Sequence, residues 1–176
     1  MVMFKTIVLA TDLSPASNTL VECVIGLKKL GVKKVFLTYA LGIRYLDDLK
    51  YLIASKVEPF LLEQKKKLEA QGLDAVIELA PGIAAEEIHR VAEQKDASLI
   101  VMGSHGESMA EHVLFKFGRT ASEVLHGFTR PLLLVKTRIV KNVGEACVEV
   151  SCSDFLKKYT LLYRLFRYRA AGLRLC

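Results

Sequence analysis

Two glycines set directly behind an apolar run are the first residues in this chain that could do chemistry. Leu99 to Met102 are four apolar residues, and Gly103 and Gly106 follow with two residues between them. After eleven more residues come Gly118, Arg119 and Thr120, which open a run patterned as a helix. Glycine has no Cβ, so its backbone can close on a ligand. The first N–H groups of a helix lack internal partners and favour an anion. A strand, a glycine turn, a helix start and a second apolar strand at Leu132 to Val135 therefore read as a phosphate cradle. It is neither of the common phosphate loops. No Gly-Lys-Ser/Thr follows, and no third glycine stands at the dinucleotide-fold spacing.

Asp12 is the second candidate. It stands in Thr11-Asp12-Leu13-Ser14-Pro15, just after an apolar run. One reading makes it the N-cap of the helix that follows. The other makes it an acceptor for a ligand's N–H or hydroxyl groups. Ser104-His105 invites an acid–base reading, but a catalytic pair needs side chains converging from different elements. No Gly-x-Ser-x-Gly elbow is present. His89, His112 and His126 have no assembled partners, and no metal site is read. No catalytic residue is named, and a small hydrolase is disfavoured.

These residues need elements to hold them. Phe4 to Ala10 is read as the first strand, then a helix from Ala16 to Leu30, with Leu20, Val24, Leu27 and Leu30 on one face. Val35 to Leu41 is the second strand. A long helical region from Tyr45 to Ala70 follows, kinked or split at Pro59. Ala75 to Ala80 is the third strand, Ala84 to Gln94 a helix, and Ser98 to Met102 the fourth strand. Gly118 to His126 is the last helix of the series and Leu132 to Val135 the fifth strand. This alternation implies a doubly wound five-stranded parallel sheet sandwiched by helices. Such sheets bind ligands beyond the carboxyl ends of their strands, where strand order reverses. That singles out Asp12, Ala40 to Gly42, and Gly103 to Gly106.

Composition bounds the rest. The chain has 176 residues, 52% of them hydrophobic, enough for one domain plus an appendage. No apolar run approaches the length of a membrane span. Its first residues lead straight into a strand pattern without a signal-peptide layout. The expected location is cytoplasmic, with the four cysteines reduced. Net charge is +6, and the part beyond residue 138 carries most of it, with 7 Lys+Arg against 3 Asp+Glu. The main domain gives no electrostatic argument for nucleic acid.

The stretch Ile100-Val101-Met102-Gly103-Ser104-His105-Gly106 resembles the universal stress proteins, whose signature is Gly-x2-Gly-x9-Gly-Ser/Thr behind such a strand. Thr129 to Lys136 resembles that family's last strand, and the resemblance covers residues 3 to 138. It departs in the gap to Gly118, eleven residues instead of nine, and in Arg119, where a small hydroxyl residue is usual. The resemblance implies an adenine-nucleotide-binding regulatory protein of the stress response, taking ATP or ADP with Mg. It would be a homodimer through its fifth strand, with at most weak ATP hydrolysis. It also implies a site of Asp12, Ala40, Met102, Gly103, Gly106, Gly118, Arg119 and Thr120. Asp12 would lie beside the nucleotide, the backbone of Ala40 would meet the adenine ring, and Met102 and Gly103 would lie near the ribose and phosphates. Arg119 would either grip the phosphates or fill the site. The second case leaves a dimeric interaction module of the same fold with a blocked site.

The remainder, residues 139–176, lies outside the family pattern. Phe155 to Arg169 reads as a basic amphipathic helix, packing on its own domain or a second subunit, or lying on a membrane surface. Val148 to Phe155 is loosely like the start of a truncated second module.

Overall fold

The computed structural model describes residues 4–42, 47–104, 118–127, 130–135, 138–142 and 145–149. Strands β1 (Thr6–Ala10), β2 (Lys34–Ala40), β3 (Asp74–Ala80), β4 (Leu99–Gly103) and β5 (Leu132–Val135) form one sheet in the order β3-β2-β1-β4-β5. Every neighbouring pair is parallel. The chain first winds outward from β1 through β2 to β3, then returns across to β4 and β5. Strand order therefore reverses between β1 and β4.

Side-chain alternation divides the sheet into two apolar faces. Ile7, Leu9, Val35, Leu37, Leu99 and Val101 point to one core, with Leu20, Val24 and Leu27 of α2 (Leu20–Leu27) and Leu61 and Leu68 of α3 (Asp47–Ala70). Val8, Phe36, Ile100 and Met102 point to the other. There they meet Ile88 and Val91 of α4 (Ala84–Gln94) and Ala121 and Val124 of α5 (Arg119–Gly127). Burial on both faces is why the central strands read as unbroken apolar runs.

Three expectations change. The first helix is broken into α1 (Pro15–Asn18), α2 and a 3-10 turn at Lys28–Leu30 that ends on Gly31 at φ 99°. Helix α3 is one element with Pro59 inside it, so of the two alternatives, kinked or split, the split is not found; the stripe Leu61, Gln64 and Leu68 stays buried beyond the proline. The cysteines are not all reduced, since Cys23 on α2 is disulfide-bonded. Beyond the sheet, β6 (Arg138–Asn142) and β7 (Glu145–Glu149) pair antiparallel, from Arg138 opposite Glu149 to Asn142 opposite Glu145. Strand β6 was not expected, and β7 overlaps only the first residues of the stretch read from Val148 as the start of a second module. The amphipathic stretch 155–169 lies outside the described residues, as do Gly106, His105 and the loop 107–117.

Candidate functional site

The reversal of strand order opens a crevice at the carboxyl ends of β1 and β4. On the β1 side the chain leaves the sheet abruptly. The Thr11 N–H still donates to the Thr38 carbonyl at 3.0 Å. Leu13 then adopts φ 62°, a left-handed conformation that costs a leucine strain. Its N–H donates to Thr11 Oγ1 at 3.1 Å, and the Ser14 N–H donates to Asp12 Oδ1 at 3.1 Å. Asp12 is therefore not the helix N-cap. Ser14 is, its hydroxyl accepting from the Ser17 N–H at 3.1 Å. The Asp12 carboxylate is half-buried, held by its own turn at the mouth of the crevice.

The same departure exposes β2. Pairing of β1 with β2 ends at Ala10 opposite Thr38. The Thr38 carbonyl faces β1 and the Leu41 N–H faces β3, where it donates to the Ala80 carbonyl at 2.8 Å. By alternation the Ala40 N–H and carbonyl face β1. Among the described residues no strand partner stands opposite them. They form an adjacent donor and acceptor beside Asp12.

On the β4 side, backbone hydrogen bonds bring the second glycine segment to the first. The Ser104 N–H donates to the Val135 carbonyl at 2.9 Å, and the Gly118 N–H donates to the Ser104 carbonyl at 2.8 Å. Helix α5 therefore starts at the end of β4, with Arg119 and Thr120 in its first turn. Arg119 is exposed, and among the described residues nothing pairs with it. A cation at a helix N-terminus opposes the helix dipole, and no acidic residue in the first turn offsets it. Positive potential is thus concentrated at one lip of the crevice. The Met102 side chain is 6% exposed and belongs to the α4–α5 core, so only its backbone borders the crevice.

Of the eight residues singled out from sequence, seven lie at this end of the sheet, on β1, β2, β4 and α5 or just beyond them. Gly106 lies outside the described residues. Sequence reasoning missed Thr11, Ser17, Asn18 and Gln64, which hydrogen-bond one another beneath the Asp12 turn. The one signal was an amide in the apolar stripe of α3.

Comparison with known proteins decides the family. The model of the universal stress protein family matches residues 3–136. The chain belongs to the universal stress protein family. Two family proteins of Methanocaldococcus jannaschii are similar to it. Universal stress protein MJ0577 is 25% identical over 160 residues, covering 78% of this chain and 98% of its own. Universal stress protein MJ0531 is 29% identical over 143 residues, covering 76% and 83%. The solved structure of MJ0577 superposes with a TM-score of 0.70 at 28% identity, over 80% of this chain and 99% of its own. A universal stress protein solved in complex with cAMP shares the fold, with a TM-score of 0.60 at 20% identity over 76% and 98%. The five-stranded parallel sheet between helices is that of these family structures.

Proposed function

We propose that this family member binds an adenine nucleotide, ATP or ADP, at the β1/β4 crevice and acts as a regulatory protein of the stress response. One observation carries the reading: at one lip the Ala40 N–H and carbonyl have no strand partner among the described residues, and at the other α5 begins with Arg119. The Ala40 N–H and carbonyl form an adjacent donor and acceptor of the kind an adenine edge presents in complement. Asp12 stands next to them as an acceptor for ribose or base hydrogens. Gly103, Gly106 and Gly118 let the phosphates approach backbone, and the first turn of α5 with Arg119 and Thr120 supplies N–H groups, a charge and a hydroxyl. Mg enters on the phosphates. No nucleophile or general base is named, so at most slow hydrolysis is expected. The protein works as a homodimer through β5, in the cytoplasm. Its relatives' nucleotide complexes lend support at the level of the fold.

Titration calorimetry of the wild type and Arg119→Ala with ATP, ADP and adenosine tests this. A hydrogen bond to a charged group contributes about 1.5–3 kcal/mol. Arg119→Ala should weaken ATP roughly tenfold to hundredfold and leave adenosine unchanged. Tighter binding of both ligands would mean that Arg119 fills the site. No heat with any of them would discard the nucleotide reading and leave a dimeric interaction module of the same fold.

A further inference from the structure

Beneath the Asp12 turn lies a buried polar relay that reaches α3. Thr11, Ser14, Ser17 and Gln64 are 8%, 6%, 6% and 3% exposed. The Ser17 hydroxyl donates to the Ser14 carbonyl at 3.0 Å. Its proton is thereby committed, so in the 3.1 Å contact between the Thr11 and Ser17 hydroxyls Thr11 is the donor. Thr11 Oγ1 is left to accept two hydrogen bonds. One comes from the Leu13 N–H, and the other, at 3.4 Å, from Gln64 Nε2. Gln64 Nε2 also donates to Asn18 Oδ1, at the junction of α1 and α2. The hydroxyl chain fixes the orientation of this amide, which geometry alone leaves open.

That orientation has a cost. Gln64 Oε1 is buried and, among the described residues, has no hydrogen-bond partner. Leu61 and Leu68 flank Gln64 in the α3 stripe, both fully buried. A leucine at 64 would continue the stripe without burying an unpaired carbonyl. What the glutamine does that a leucine cannot is hold Thr11 and Asn18.

We propose that Gln64 is a positioning residue of the candidate nucleotide site, a step that rests on the nucleotide reading above. Through Thr11 it holds the left-handed Leu13 turn, and that turn sets the direction of the Asp12 carboxylate. Helix α3 itself touches no ligand.

The test uses the full chain with Gln64→Met, which keeps length and loses both donors. Amide hydrogen exchange of Leu13 and Ser14 should quicken at least tenfold, while Ile7 to Leu9 keep wild-type rates. In calorimetry, ATP should bind three- to tenfold more weakly, while inorganic tripolyphosphate, which has no base or ribose to meet Asp12, is unchanged. Thr11→Val should reproduce both effects, and the double variant should be no worse than either single one. Gln64→Leu, which continues the α3 stripe and likewise loses both donors, carries the test should Gln64→Met fail to fold. Unchanged exchange at Leu13 and Ser14 overturns the proposal. So does an equal loss of ATP and tripolyphosphate, the sign of general loosening. Wild-type protein that binds neither ligand defeats the nucleotide reading instead, and the exchange rates still decide whether Gln64 sets the turn.

Discussion

Leu13 reverses the usual ranking of alanine and glycine. Its φ of 62° costs an L-residue about 1–2 kcal/mol, which glycine does not incur. Its side chain is half-buried against the α2–α3 core, and both truncations lose that packing. The difference between Leu13→Gly and Leu13→Ala is therefore mostly backbone. We expect Leu13→Gly to be the more stable by about 1 kcal/mol in urea unfolding, although glycine is ordinarily the destabilising choice. Alanine coming out ahead would mean that the turn relaxes out of the left-handed region. At this scale the sequence was informative where chemistry is local. Thr11-Asp12-Leu13-Ser14 announced a turn, and the Leu13 and Ser14 N–H groups close it. It left Asp12 open between helix cap and ligand acceptor, because a cap at residue 12 and one at residue 14 look alike until the helix start is fixed. It said nothing of Gln64, whose partners are 46 and 53 residues away.

At the scale of elements, one arginine ties α4 to β5. Arg130 Nε donates to Glu93 Oε1 at 2.6 Å and Nη2 to Glu93 Oε2 at 3.0 Å, a paired grip on the last turn of α4. Nη1 donates to the Ala97 carbonyl at 2.6 Å, just before β4, and reaches the exposed Asp96 at 3.1 Å. Hydrogen bonding from Arg130 holds the Glu93 carboxyl below its ordinary value of 4.5. A carboxyl whose folded pKa is depressed adds stability that is complete above the unfolded value and lost as pH falls through the folded one. Arg130→Ala should therefore melt below the wild type, with a gap that is constant above pH 4.5 and narrows under acid. It should not close, because the Ala97 carbonyl does not titrate. A gap independent of pH would show that the carbonyl contact does all the work. The strands and α4 were legible because each is a local pattern of period two or 3.6. The break between Asn18 and Leu20 was not, since the apolar spacing from Leu20 onward does not mark where the helix before it ends. Nor was β6–β7, whose mixed polar residues carry no clean alternation.

For the whole molecule, the order β3-β2-β1-β4-β5 leaves β5 at one edge, and among the described residues no strand pairs with its outer side, a state that proteins cover or pair. The alternating strand and helix patterns made the sheet legible, but an edge is completed by something outside the domain, and no pattern in this chain names it. The proposed occupant is the same strand of a second copy, in an isologous dimer. The register specifies which groups would make it. The Pro131 carbonyl accepts from Ile100 and the Val135 carbonyl accepts from Ser104, both at 2.9 Å, so odd-numbered residues of β5 face β4. Leu132 and Leu134 then point their N–H and carbonyl groups outward. A proline at 134 removes a donor from the free edge and none from the β4–β5 ladder. A proline at 133 removes one from the ladder itself. Sedimentation at micromolar concentration should show a wild-type dimer, a folded monomer for Leu134→Pro, and a destabilised protein for Leu133→Pro. A wild type that stays monomeric at high concentration, or a Leu134→Pro variant that still dimerises, would remove β5 from the interface and leave its edge to be covered within one chain.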